Sequence, residues 1–189
     1  DLGLQDFGWE QDDTEVVDLP FTFPLLGVAH DRISICSNGW VALGETPLVN
    51  YRNWSLPAVG APGNLIAAFW DDLYQSGTGR VYTHHDPENH RFIIQWYNLY
   101  NMRDDALQNF ELILLDPAWH RTATGDGAFI IQYETVNNTD ERDGYATVGL
   151  QNADRSAGMT YSYWNRYAPG ASRLQSGRAI RFQPLGDIA

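Results

Sequence analysis

Acidic residues at the ends of predicted strands are the first residues whose types and spacing could bind a ligand. Asp71 and Asp72 directly follow the apolar segment 65–70. Adjacent carboxylates repel each other unless a cation or hydrogen-bond donors compensate them, and calcium prefers carboxylate and carbonyl oxygens supplied by loops. Asp126 and Asp140 lie in further oxygen-rich turns. The sequence therefore predicts either a calcium site among these four residues or aspartates that form turns and caps.

Aromatic side chains are the second group that could bind a ligand. The chain has 7 Trp, 10 Tyr and 8 Phe. Flat aromatic faces beside Asp, Asn or Arg side chains are typical of sugar-binding platforms. Trp40, Trp70 and Trp96 occupy strand positions that predict burial. The aromatic residues expected to be partly exposed, and therefore the candidate glycan-binding residues, are Trp54, Tyr97, Tyr100, Trp164 and Tyr167.

Three isoleucines could form an interface with another domain. Ile93, Ile113 and Ile130 each lie on the face of a predicted strand opposite its presumed core residues. If the three strands are neighbours, the isoleucines form an apolar stripe. Such a stripe is either covered by the chain itself or docks a partner domain.

Sequence motifs for catalysis are absent. The chain has no Gly-x-Ser-x-Gly, no His-Glu-x-x-His and no Walker-type loop. Cys36 is the only cysteine, so neither an intrachain disulfide nor a cysteine-based zinc site can form. We expect a protein that is not an enzyme. A hydrolase with paired carboxylates stays an alternative, which would require two carboxylates at a fixed separation across a cleft.

The charge balance excludes two classes of partner. The chain has 24 acidic residues against 12 cations, all of them arginine, and a formal net charge of −12. Such a chain repels the phosphates of nucleic acids and the anionic lipids of a membrane surface. The longest apolar run, 65–70, is too short to span a bilayer. We therefore expect neither nucleic-acid binding nor membrane insertion.

The elements that must position these residues are β-strands. Alternating apolar and polar residues recur along the chain, and the Asn38-Gly39 turn predicts a hairpin over residues 32–43. Pro20 indicates an edge strand or a bulge. About ten short strands between turns predict one all-β domain over residues 1–189, a β-sandwich of jelly-roll type, with 1–14 as an N-terminal arm. The predicted strands are 15–23, 32–36, 40–43, 65–70, 80–84, 91–100, 108–115, 128–135, 145–152, 160–164 and 178–182.

An ordered series of short motifs resembles a known family. The series is Leu19-Pro-Phe-Thr-Phe-Pro, Ser37-Asn-Gly-Trp, Asn64-Leu-Ile-Ala-Ala-Phe-Trp-Asp-Asp, Arg91-Phe-Ile-Ile-Gln-Trp-Tyr-Asn, Thr124-Gly-Asp-Gly, Gln132-Tyr-Glu-Thr-Val-Asn-Asn and Ala146-Thr-Val-Gly-Leu-Gln-Asn. It resembles an all-β accessory module that recurs in large secreted bacterial proteins. There the module accompanies subtilisin-like and gingipain-type peptidases, immunoglobulin-like domains and C-terminal sorting signals. The first three motifs are also similar to the nidogen-type extracellular domain.

The resemblance implies a non-catalytic accessory or adhesion domain that is extracellular or at the cell surface. Its expected partners are other domains of the parent protein, cell-surface partners or glycans, and structural calcium is the expected cofactor. A carbohydrate-binding module is the first alternative, and the paired-carboxylate hydrolase is the second. A line of exposed Trp and Tyr residues would favour the former, and two facing carboxylates would favour the latter.

Overall fold

Two antiparallel sheets form the fold and confirm the predicted all-β sandwich. The computed structural model describes residues 1–8, 11–138 and 145–185, which contain twelve strands and no helix. One sheet has seven strands in the order β1-β2-β3-β4-β9-β10-β11, and the other has five in the order β12-β8-β7-β6-β5. The strands are β1 (Thr14–Leu25), β2 (Val28–Cys36), β3 (Trp40–Leu43), β4 (Leu65–Trp70), β5 (Leu73–Asp86), β6 (Arg91–Asn101), β7 (Leu107–Leu115), β8 (Phe129–Thr135), β9 (Thr147–Gln151), β10 (Gly158–Tyr163), β11 (Arg166–Tyr167) and β12 (Arg178–Phe182).

The main core lies between the inner faces of the two sheets. Ile33 and Phe69 of the seven-stranded sheet and Trp96 and Phe110 of the five-stranded sheet are fully buried there. The Trp96 ring stacks on the Phe110 ring at a centroid distance of 5.0 Å. Side chains from two inner faces fill the space between the layers of a sandwich in this way. The predicted inward position of Trp96 is confirmed.

A second, smaller core covers the outer face of the seven-stranded sheet. Trp40 and Trp70 are fully buried, as predicted, but on the outer side of their strands, beneath the segment 44–64. Both indole N–H groups donate to the carbonyl oxygen of Asn50, at 2.8 and 2.9 Å. The indoles therefore anchor this segment onto the sheet, and the outer face beneath it is closed.

The turn between β2 and β3 joins three parts of the chain at one end of the sandwich. Gly39 has φ +74°, and a Cβ atom there would lie 2.0 Å from the carbonyl oxygen of Phe69. The Asn38 side chain accepts a hydrogen bond from the Leu73 N–H at 3.0 Å and donates to Asp12 at 2.8 Å. The predicted hairpin is confirmed, and its turn holds the start of β5 and the N-terminal segment.

The N-terminal residues form a strap along the five-stranded sheet. The Leu2 N–H donates to the carbonyl of Val81 at 3.0 Å, and the Gln75 N–H donates to the carbonyl of Asp6 at 2.7 Å. The Leu4 side chain is buried in the main core. The predicted arm therefore packs on β5 before the chain enters β1 in the opposite sheet.

Strand β5 differs from its prediction. It begins at Leu73, whereas the sequence pattern predicts a strand over 80–84 only. A register shift between Gln75 and Arg80 accommodates the glycines and polar residues of this stretch, so the strand continues through them. Strand β1 has the edge position and the register shift that Pro20 predicts.

Candidate binding face on the five-stranded sheet

Four tyrosines on β5 and β6 lie together on the outer face of the five-stranded sheet. Tyr74 pairs directly with Tyr100 across the two strands, and their ring centroids are 5.9 Å apart. Tyr82 and Tyr97 form an edge-to-face pair at 6.1 Å. Tyr97 is 36% exposed, and the other three are partly exposed. We call these four residues the tyrosine face.

A bulge in β6 brings two of these tyrosines onto the same side. Tyr97 and Tyr100 are three residues apart, and a regular strand would point them to opposite faces. Asn98 has φ +51°, and the register shifts between Trp96 and Leu99. The extra residue of the bulge restores the inward position at Leu99 and the outward one at Tyr100.

Polar side chains continue this face across β6, β7 and β8. The Gln95 amide donates to Asn109 at 3.3 Å, the Asn109 amide donates to Glu134 at 2.5 Å, and the Gln132 amide donates to Glu111 at 2.9 Å. These bonds fix the amide groups in place. Amides and carboxylates offer both donors and acceptors. We call this set, Gln95, Asn109, Glu111, Gln132 and Glu134, the amide ladder.

The edge of the tyrosine face is also ordered by hydrogen bonds. The Tyr74 hydroxyl donates to Asp105 at 2.8 Å. Burial and this hydrogen bond, together with the negative charge of Asp105, raise the pKa of Tyr74, so its hydroxyl stays protonated at neutral pH. The face therefore combines flat aromatic surface with fixed polar groups, a combination suited to binding a polar partner.

Trp54, another predicted ligand-binding residue, lies on the opposite side of the sandwich. It belongs to the segment that covers the seven-stranded sheet and is exposed. It lines a shallow cleft of about 400 Å³ together with Asp12, Tyr51 and Arg52. This cleft is a separate aromatic site, distinct from the tyrosine face.

The last two predicted aromatic residues lie near the edge of the seven-stranded sheet. Trp164 is exposed in the turn between β10 and β11 and contacts Tyr163 edge-on at 6.1 Å. The Tyr167 ring packs edge-on against Tyr161 at 6.3 Å, and its hydroxyl accepts the Leu174 N–H at 3.2 Å. Of the five predicted residues, the structure brings only Tyr97 and Tyr100 together.

The sequence pattern does not identify Tyr74 and Tyr82 as candidate binding residues. Tyr74 precedes the predicted strand 80–84, because β5 begins earlier than the pattern indicates. Tyr82 alternates with the buried Val81, and this alternation is the signal that places Tyr82 outward.

The three predicted interface isoleucines are neighbours across three strands. Ile113 pairs directly with Ile93 of β6 and with Ile130 of β8. Ile113 is only 3% exposed, however, and the adjacent Leu115 is 5% exposed. With Ala128 they form a small cluster separate from the main core. This burial favours the alternative in which the chain itself covers the stripe.

The predicted calcium ligands already have protein partners. The Asp71 carboxylate accepts hydrogen bonds from the Asn101 amide and from the Asp72 N–H, each at 2.9 Å. The Asp126 carboxylate accepts the Gly27 N–H at 2.6 Å. Asp140 lies outside the described residues. Within the described ranges no three His, Cys, Asp or Glu side chains converge as metal ligands, and calcium binding stays a prediction.

Two buried ionisable side chains have strongly shifted pKa values. Burial raises the pKa of Asp6 to about 7; a contact with Ser37 opposes this shift, and the negative charges of Asp12 and Asp72 add to it. Burial likewise raises the pKa of the Cys36 thiol to about 12, so the thiol is protonated at neutral pH. A protonated, fully buried thiol is a packed core residue rather than a nucleophile.

A family model matches almost the whole chain. The model of the family described as NIDO related matches residues 5–185. No curated protein and no solved structure matches the chain. In the part of the chain that the structure describes, no helix has the length and apolar character needed to cross a bilayer.

Proposed function

This chain belongs to the NIDO-related family, whose domains are of the extracellular type, and we propose that it is a non-catalytic recognition domain of accessory or adhesion type. The observation that carries the proposal is the tyrosine face. Tyrosine supplies large contact area with only two side-chain torsions to fix on binding. Its position on paired strands, beside the hydrogen-bonded amide ladder, provides a preformed surface for a partner.

The adhesion function is tested by binding of the labelled domain to intact cells. The double variant Tyr82→Ala/Tyr97→Ala removes the edge-to-face pair from the tyrosine face, and we expect it to lower binding by about tenfold or more. Trp164→Ala is the matched control, because it deletes an exposed aromatic ring on the other sheet. Equal binding of the double variant and the wild type, both folded by circular dichroism, contradicts the proposal.

A finer part of the proposal concerns the parent protein. We propose a large secreted or cell-surface protein of bacterial origin, in which this domain accompanies a peptidase. The order of the sequence motifs supports this proposal. The flanking sequence tests it, because a subtilisin-like or gingipain-type peptidase domain beside this one is expected.

A carbohydrate-binding module is the second candidate function. The specific observation in its favour is that the amide ladder lies on the same sheet face as Tyr82 and Tyr97. Sugars present apolar C–H faces that stack on aromatic rings and hydroxyls that bind amides and carboxylates. Titration of the ¹⁵N-labelled domain with cellohexaose, xylohexaose and chitohexaose tests this function. Amide shifts confined to β5, β6, β7 and β8 are expected, and an unperturbed spectrum with all three sugars contradicts it.

Calcium is the proposed structural cofactor, with Asp72 as its principal ligand. Asp72 lies between β4 and β5 and is partly exposed. Bound calcium would offset the repulsion from Asp71 and raise the melting temperature by mass action. Thermal unfolding in excess chelator and in millimolar calcium tests this proposal. A rise in the wild type that is lost in Asp72→Asn supports the site, and equal melting temperatures in the wild type contradict it.

A further inference from the structure

An apolar cleft opens at the edge of the sandwich, between β12 of one sheet and β10 of the other. Its volume is about 370 Å³, within the range of specific ligand sites. Ile180 and Phe182 line it from β12, and Leu150 and Met159 line it from β9 and β10. Met159 and the nearby Leu26 are each 44% exposed. The inner face of the seven-stranded sheet is therefore left partly uncovered here.

Strand β12 has one free edge beside this cleft. It is the outermost strand of its sheet and pairs only with β8, from Arg178 to Phe182. Among the described residues, no backbone hydrogen bond joins residues 179–182 to any segment other than β8. An edge strand with unpaired N–H and C=O groups is a template for a strand of another chain.

The outward side of this strand carries a positive charge. Arg181 points outward, whereas Arg178 shares the inward side with Ile180 and Phe182, and Arg173 lies in the segment before the strand. None of the three makes an ion pair with a described residue. The exposed Arg181 alternates with the inward-facing Ile180 and Phe182. A partner that matches this strand needs apolar groups on its inner side and acidic groups on its outer side.

We propose that the free edge of β12 and its cleft bind an extended peptide segment of a partner protein, in which apolar residues alternate with acidic ones. The backbone of the segment extends the five-stranded sheet. Its apolar side chains enter the cleft beside Ile180 and Phe182, because alternate residues of a strand point to the same face. Its carboxylates face Arg181. A second copy of this chain fits poorly, because it would place two arginine-bearing edges against each other. This site is separate from the tyrosine face.

The test uses the full ¹⁵N-labelled chain and the synthetic peptide acetyl-Glu-Val-Glu-Val-Glu-Val-Glu-amide. We expect amide shifts at residues 179–182 and at Leu150 and Met159. Arg181→Glu should weaken this peptide by about tenfold or more and should create binding of the matching Lys-Val peptide. Arg52→Glu makes the same charge change at an exposed position on the opposite side of the sandwich and should leave binding of both peptides unchanged.

Several results overturn this proposal. They are an unperturbed spectrum at about 2 mM peptide, shifts located outside the β12 edge and cleft, and equal effects of Arg181→Glu and Arg52→Glu. Self-association that perturbs residues 179–182 as the protein concentration rises would assign the edge to a second copy instead. None of these results affects the proposal for the tyrosine face, because its residues lie on β5 and β6, at the end of the sheet opposite β12.

Discussion

At the scale of single residues, Asp6 places an ionisable group where water cannot reach it. Its carboxyl is fully buried in the N-terminal strap, and the pKa is about 7 in the folded protein against 3.8 in the unfolded chain. The folded state therefore binds more protons than the unfolded state between these two pH values. The contribution of Asp6 to the free energy of unfolding is fully present below about pH 4. It is lost as the pH rises towards 7, which lowers the free energy of unfolding by about 4 kcal/mol at most.

Asp6→Asn should remove this dependence on pH. Asparagine does not ionise, so the variant should be more stable than the wild type at pH 8, by up to about 4 kcal/mol. The advantage should disappear near pH 4. Chemical denaturation at both pH values measures it, with Glu88→Gln, an exposed carboxyl in the β5–β6 turn, as the control. A difference between Asp6→Asn and wild type that is the same at both pH values contradicts the account.

Trp96 tests the inward face of β6. It is fully buried, stacks on Phe110 and donates its indole N–H to the carbonyl of Cys36 at 2.8 Å. Trp96→Ala should lower the free energy of unfolding by about 3–5 kcal/mol. Trp164→Ala removes an exposed ring and should lower it by less than about 1 kcal/mol. A loss below about 1 kcal/mol at Trp96, measured by urea denaturation, would show that the face assignment is reversed.

The sequence predicts many of these side-chain positions, for reasons that are local. The burial of Trp96 follows from alternation with Phe92 and Ile94. The burial of Asp6 follows the same two-residue period as Leu2 and Leu4, but a charged residue in an acidic segment does not suggest an inward position. Only the long-range contacts with β5 show why that carboxyl is buried.

At the scale of elements, the β2–β3 turn depends on a close approach of two backbones. Gly39 and Gly170 both have positive φ, +74° and +80°. A methyl group at Gly39 would overlap the Phe69 carbonyl, whereas no described residue other than the two chain neighbours comes within 4 Å of a methyl group at Gly170. Gly170→Ala should therefore lower the free energy of unfolding by about 1–2 kcal/mol through backbone strain alone.

Gly39→Ala should lower the free energy of unfolding by about 1–3 kcal/mol more than Gly170→Ala does, because the overlap with the Phe69 carbonyl forces the turn away from β4. Thermal and urea unfolding of both variants measure the difference. Equal losses at the two glycines would mean that the turn does not approach β4 closely.

Elements with regular alternation are the ones that the sequence predicts. The hairpin at Asn38-Gly39 is an example, since its turn residues and its flanking strands agree. Strand β5 is the counterexample, because the residues between Gln75 and Arg80 have the composition of a loop and become strand only by pairing with β6 through a bulge. The bulge at Asn98 likewise cannot be located from local composition, although it places Tyr100 beside Tyr97.

At the scale of the whole molecule, the two outer faces of the sandwich differ. The outer face of the seven-stranded sheet is covered over Trp40 and Trp70 by the segment 44–64. The outer face of the five-stranded sheet presents the tyrosine face and the amide ladder. Because of this asymmetry, the outer face of the five-stranded sheet is the surface on which we expect a partner to bind. The sequence predicts two of its tyrosines, but their grouping depends on strand pairing that alternation alone does not determine.

The most direct test of the central claim is a binding array that carries both glycans and extracellular proteins. The wild type, Tyr82→Ala/Tyr97→Ala, Trp54→Ala and Trp164→Ala are applied in parallel. The account predicts that at least one ligand of the wild type loses about tenfold or more of its binding in the tyrosine-face variant and in neither of the two tryptophan variants. Binding that is retained by this variant and lost in Trp54→Ala would move the site to the other sheet and contradict the account.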